Sequence, residues 1–151
     1  MLSTQVKHLL TACVFVVPAA VAAELPDGPG KDVVKRVCGV CHEAEIVTGQ
    51  ARTRAAWTKT VGDMVTLGAQ GSDEDLDLIL NYVVTNFPKK VNVNKAPVKD
   101  LQSALDITPE LAEAMVGYRQ KNGDFKSLDD LKKVPGVDAA QLDTEKNRIL
   151  F

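Results

Sequence analysis

Two thiols and an imidazole stand together at Cys38-Gly39-Val40-Cys41-His42. This is a C-x-x-C-H run, the motif of covalent haem attachment. Two thiols three positions apart, at the end of a helix, can each add to a vinyl group on one edge of a porphyrin. The next residue, His42, can then present its imidazole to the iron as proximal ligand. A porphyrin held at three points is rigid, so few residues are needed to wrap it.

Other chemistries use the same pair of cysteines. A thioredoxin-like dithiol needs a strand before it and a helix after. The residues before Cys38, Lys31 to Val37, read as a helix instead: Val33, Val34 and Val37 share a face, and Asp27-Gly28-Pro29 is a start signal. A zinc site needs two further ligands. The only other histidine and cysteine are His8 and Cys13.

Both of those lie in a segment, residues 1–23, that reads as a secretory signal. Lys7 and His8 form a thin positive start, Leu9 to Val17 is apolar, and Pro18-Ala19-Ala20-Val21-Ala22-Ala23 is a small-residue cleavage zone. The apolar run is too short to be a good membrane span, so no span is expected in the mature chain. Leu10-Thr11-Ala12-Cys13 has the look of a lipoprotein box, but Cys13 sits early in the apolar run, where a lipidated cysteine would follow it. Cleavage would leave a periplasmic chain whose two cysteines are both consumed by haem, with no thiol left over in an oxidising compartment.

The elements that position the motif follow. The chain has 151 residues and a formal net charge of −2, enough for one ordinary domain or two small ones, with no sign of a nucleic-acid coat. Glu43 to Thr53 reads as a loop. Arg54 to Leu67 reads as a helix with Trp57, Val61, Met64 and Val65 on one face. Ser72 is an N-cap with acidic residues after it, and the helix it opens runs to about Phe87 before Pro88 stops it. Its buried stripe is Leu76, Ile79, Leu80, Val83, Val84 and Phe87. His42 is the only histidine after the leader, and Met64 and Met115 the only methionines. Met64, in the same small segment, is the expected distal ligand; packing in the core, with an open site or a lysine at the iron, is the alternative.

This segment resembles the mono-haem class I c-type cytochromes over residues 30–88. Beyond C-x-x-C-H, the residues Trp57, Val61, Met64, Gly68-Ala69, Ser72, Glu74 and Tyr82 are similar to the pattern of cytochromes that serve periplasmic dehydrogenases. The resemblance implies a three-helix fold around one covalent haem c, with the haem supplying much of the apolar core that so short a segment lacks.

After Pro88 the composition changes. Val91-Asn92-Val93-Asn94-Lys95-Ala96 leads into Val98-Lys99-Asp100-Leu101, and residues 90–151 resemble the helix-hairpin-helix module of competence DNA-receptor proteins. Leu101, Leu105, Ile107, Pro109, Ala112, Val116, Tyr118-Arg119, Gly123, Phe125, Leu128, Leu131, Pro135-Gly136-Val137 and Leu142 carry it. A loose repeat of Leu101-to-Ile107 by Leu128-to-Val137 implies two stacked halves, with Met115 in the core. The family's hairpins are glycine-rich so that backbone N–H groups can approach a phosphate. Here three of those positions hold Asp106, Thr108 and Asp138, and only Gly136 remains. Residues 89–151 carry 11 Lys/Arg against 10 Asp/Glu, and residues 24–88 carry 6 against 10. A DNA-binding module has a clear basic excess.

The expectation is an exported all-α protein of two domains: a cytochrome c domain at 24–88 and a tandem helix-hairpin-helix domain at 89–151. Its expected function is electron transfer, with the tail docking it to a redox partner such as a periplasmic dehydrogenase or another cytochrome. No nucleophile–base pair suggests an enzyme. The competing expectation is a periplasmic DNA-binding or DNA-uptake factor carrying a structural or sensory haem.

Overall fold

The computed structural model describes residues 23–151; the expected signal segment, apart from Ala23, lies outside them, as do His8 and Cys13. The described chain is mostly helical. Helix α1 spans Lys31–Cys38, α2 Arg54–Thr66 and α3 Asp73–Asn86. The stretch expected as a loop between α1 and α2 contains a 3-10 turn at Ala44–Gly49. It buries Ala44 against the core, and one buried alanine is too weak a pattern to read in advance.

Each helix starts for a local reason. Asp27 was read as a start signal, but it pairs with the Lys31 ammonium at 2.7 Å, and the N-cap of α1 is Gly30. Gly30 has φ 93°, and a Cβ there would meet the Leu78 carbonyl at 2.7 Å and Tyr82 Cβ at 3.0 Å. Glycine therefore lets the start of α1 cross α3 at backbone contact. Thr53 caps α2 by accepting from the Ala56 N–H. Ser72 and Asp75 form a reciprocal capping box on α3, a device worth about 1 kcal/mol. Arg36 on α1 reaches the same Asp75 carboxylate at 2.6 Å, and that bond holds Asp75 below the usual carboxylate range.

The core of this part holds Leu25, Val34, Val37, Trp57, Ile79, Tyr82, Val83 and Val84. The Tyr82 hydroxyl donates to the Pro26 carbonyl at 2.7 Å, and Trp57 Nε1 donates to the Phe87 carbonyl at 2.9 Å. Both large aromatics thus satisfy their polar ends while burying their rings.

The tail has its own core, from Val91 to Ile149, and shares no residue with the first. Helices α4 (Val98–Leu105) and α5 (Pro109–Asn122) pack together across a three-residue turn. The second half is shorter: α6 is only Leu128–Leu131 and α7 is Ala139–Glu145. Pro135 has no N–H and restricts Val134, so the chain passes through linked turns from Lys133 to Val137 rather than continuing α6. Met115 is buried, 3 % exposed.

Two short strands complete the tail. Strand β1 (Val91–Asn92) pairs in parallel with β2 (Ile149–Leu150), Val91 opposite Ile149. The Val91-x-Val93 alternation carried this signal, since both valines are buried. Asn94 then ties the entry strand to the chain after α5. Its amide donates to the Phe125 carbonyl at 2.9 Å and accepts from the Phe125 N–H at 2.8 Å. Arg148, only 6 % exposed, anchors the exit beside Glu145 at 2.7 Å.

Replacing Asn94 with Ala strands both backbone groups of Phe125. Denaturant unfolding of the tail core should show a loss of about 1–3 kcal/mol, with binding surfaces elsewhere unchanged.

Candidate functional site

The C-x-x-C-H run sits where α1 ends. Cys38 is the last residue of the helix and is half-buried, while Cys41 and His42 lie in the exposed turn beyond it. Gly39 makes that turn possible: its N–H bonds to the Lys35 carbonyl, and a Cβ there would lie 2.3 Å from the same oxygen. Burial pushes the Cys38 thiol above its ordinary value. A redox-active dithiol depends on the opposite, a stabilised thiolate.

Cys38, Cys41 and His42 open onto a cavity of about 330 Å³ between α1, the 3-10 turn, α2 and α3. This lies within the size range of small-molecule and cofactor clefts, roughly 300–1,000 Å³. The walls are almost wholly apolar: Val37, Ile46, Val47, Trp57, Val61, Val65, Leu67, Leu76, Ile79 and Val83. Met64 lines the same cavity as His42. All four residues expected at the iron centre are therefore brought to one cavity.

The residues fit a haem. The cavity offers the apolar walls a porphyrin face needs, two thiols at its rim, and an imidazole and a thioether on its lining. His42 Nδ1 lies 3.1 Å from the Glu43 carbonyl oxygen. With Nδ1–H donating to that oxygen, Nε2 keeps the lone pair a metal would take. Among the described residues no group of three or more His, Cys, Asp or Glu converges as a metal cluster. Ile46 and Leu67 are 58 % and 77 % exposed although both line the cavity; they are the apolar rim that a bound macrocycle would cover.

Several wall residues went unnoticed in the sequence, two polar ones of the loop among them. Gln50 and Arg52 lie in the stretch read as a loop, and both line the cavity. Neither is apolar, so no periodicity marks them.

The tail presents the second candidate, its two hairpins. In the first, Asp106 is in the left-handed region, φ 52°, the only non-glycine residue with positive φ among the described residues. Its carboxylate lies 3.4 Å from Arg148 Nη1 and 3.6 Å from Arg54 Nε, the latter at the start of α2. Thr108 caps α5 through the Leu111 N–H. Glu110, in the first turn, is held below its ordinary value by its own backbone N–H and then by the Thr108 hydroxyl. An anion thus already stands at this helix start.

In the second hairpin Gly136 keeps φ 90°. The Asp138 carboxylate accepts from the Ala140 N–H at 2.7 Å and the Gln141 N–H at 3.3 Å. These are the kind of donors a phosphate would use. Lys132 and Lys133 are tied to Asp129 at 3.0 Å and Asp130 at 2.7 Å. Arg119, one of the residues that carry the resemblance, is turned inward: it donates to the carbonyls of Val93 and, at 2.7 Å, of Ala96. It braces the entry strand and offers no guanidinium to a phosphate.

A family model for the helix-hairpin-helix motif matches residues 87–149. The tail therefore carries a helix-hairpin-helix motif. The chain is 36% identical over 59 residues to ComE operon protein 1 of Bacillus subtilis (strain 168), covering 39% of this chain and 29% of that protein. It is 38% identical over 63 residues to an uncharacterized protein of Haemophilus influenzae, covering 41% of this chain and 56% of that one. It is 31% identical over 71 residues to endonuclease/exonuclease/phosphatase family domain-containing protein 1 of Rattus norvegicus, covering 46% and 12%. The chain thus spans about a third to a half of the first two relatives and a small part of the third. No solved structure matches. Among the described residues no helix is long and apolar enough to cross a membrane.

Substituting Met64 with Ala in haem-loaded protein should remove the far-red charge-transfer band of ferric methionine-ligated haem and lower the reduction potential. Absorption spectroscopy and potentiometry check this; an unchanged spectrum assigns the sixth position to another group.

Proposed function

We propose that this chain is an exported, periplasmic mono-haem c-type cytochrome that transfers electrons, and that its helix-hairpin-helix tail docks it to a redox partner protein. The observation that carries the reading is the convergence of Cys38, Cys41, His42 and Met64 on one apolar cavity. Bound there, haem c supplies a one-electron ferric–ferrous couple. The chain's part is to anchor the macrocycle by two thioethers, to ligate through His42 Nε2 and the Met64 thioether, and to keep water from the faces. A thioether ligand and an apolar wall both favour the ferrous form relative to a second imidazole and an open site.

Docking to protein follows from the hairpins. Asp106, Glu110 and Asp138 set carboxylates where a phosphate would lie, and the two lysines before the second hairpin are already paired. A duplex would also meet the acidic haem segment.

A second reading is a periplasmic DNA-binding or DNA-uptake factor of the competence type, with haem as a structural or sensory group. The family match and the relatives back this reading better than the first, because the motif they point to is the tail, and ComE operon protein 1 is among them. Gly136 and the intact fold of the module favour it too.

Two measurements separate the readings. Denaturing mass spectrometry of protein made in a host with c-type maturation should show one added haem; an unmodified mass with two free thiols overturns the cytochrome. A salt series of duplex binding should show a shallow slope and no tight complex at physiological salt. Each neutralised phosphate contributes a log–log slope of about −0.9, so a steep slope with micromolar or tighter binding overturns docking and establishes the DNA reading.

A further inference from the structure

Arg52 is the one lysine or arginine on the cavity wall. Its backbone is clamped on both sides. The N–H donates to the Phe87 carbonyl at 3.2 Å and the carbonyl accepts from the Lys89 N–H at 2.8 Å, forming a short parallel bridge with Pro88. The guanidinium carbon lies 5.5 Å from the centroid of the Trp57 ring, a cation–π placement. Nη2 donates to Gln50 Oε1 at 3.0 Å.

The guanidinium is thus held by Trp57 and Gln50 on a backbone that is itself clamped, yet it pairs with no carboxylate among the described residues. Its Nε is buried and has no acceptor. A buried N–H of a charged group left without a partner is costly, and none of the described residues fills the role. The acceptor it lacks is of the kind a guanidinium fork matches best, a carboxylate. A porphyrin carries vinyl groups on one edge and two propionate carboxylates on the other. The thiols of Cys38 and Cys41 address the first edge.

Resting on the haem reading, the geometry points to Arg52, seated on Trp57 and steadied by Gln50, as the residue that binds a propionate of the porphyrin. It fixes which way round the macrocycle sits and sets a positive charge beside it. The added charge disfavours ferric iron, so it raises the potential.

The test uses full-length haem-loaded protein in three variants: Arg52→Gln, Arg52→Lys and, as a control of equal charge change, Arg36→Gln, whose partner Asp75 is on α3 outside the cavity. Arg52→Gln should favour the ferric form by about tenfold at fixed ambient potential, a fall of about 59 mV for a one-electron couple. Its propionate bending band in the resonance Raman spectrum should shift. Arg52→Lys should recover most of the potential, and Arg36→Gln should match the wild type. The inference is overturned if Arg52→Gln keeps both the wild-type potential and the band, or if Gln and Lys shift the potential equally. Should Arg52→Gln fail to load haem, Arg52→Lys decides: a potential near the wild type supports the inference, and a tenfold displacement overturns it. Absence of haem from the wild-type protein would instead refute the cytochrome reading itself.

Discussion

The constraint on which the first half of this protein depends is that several of its apolar side chains serve a core and a cavity wall at once. Val37, Trp57, Ile79 and Val83 belong both to the core and to the cavity wall. In a segment this short, few apolar groups are left to make a core without an occupant. Both α1 and α2 pack on α3: Gly30 brings α1 onto it, and Asp75 accepts from Arg36. The haem proposed for this cavity, a flat and rigid macrocycle joined to the end of α1, would extend such a core.

The tail shows the opposite economy. It closes on itself with its own side chains, and each hairpin supplies its own anion. Asp138 caps α7, while Asp106 meets Arg148 and reaches the start of α2 through Arg54. That last contact joins the two halves through the hairpin that the competence-type resemblance would assign to a phosphate. The left-handed Asp106 marks where a glycine position has been given to an acid at some backbone cost. The module keeps its helix-hairpin-helix architecture with carboxylates standing at both of its hairpins.

Much of this was legible in the chain. C-x-x-C-H, the face of Trp57, Val61 and Met64, and the Ser72 cap named the cavity's main residues, because apolar periodicity and capping are local signals. The hairpin aspartates stood out only against the resemblance, at positions where that family carries glycine. What escaped depended on distance in sequence. Arg52 is fixed by Phe87 and Lys89, Asn94 by Phe125, and Arg148 by Asp106 and Glu145. A lone polar residue in a loop gives no hint that its partner lies 31 or 42 positions away. Arg119 belongs with them: its place on a helix gives no sign that its guanidinium bonds to the carbonyls of Val93 and Ala96. The shortness of α6 was foreseeable from Pro135, yet the repeat suggested equal halves.

The pairing of Val91 with Ile149 brings the tail's two ends side by side. A unit whose ends touch can be spliced into a loop of a host, or appended after one, without stretching either partner, because the host need only offer two neighbouring points. The fraction of each relative that aligns fits such a travelling cassette: 56% of one protein and 12% of another. Placed behind Pro88, such a cassette sits a short linker away from the cavity, so a partner bound by the tail would be held at high effective concentration beside it.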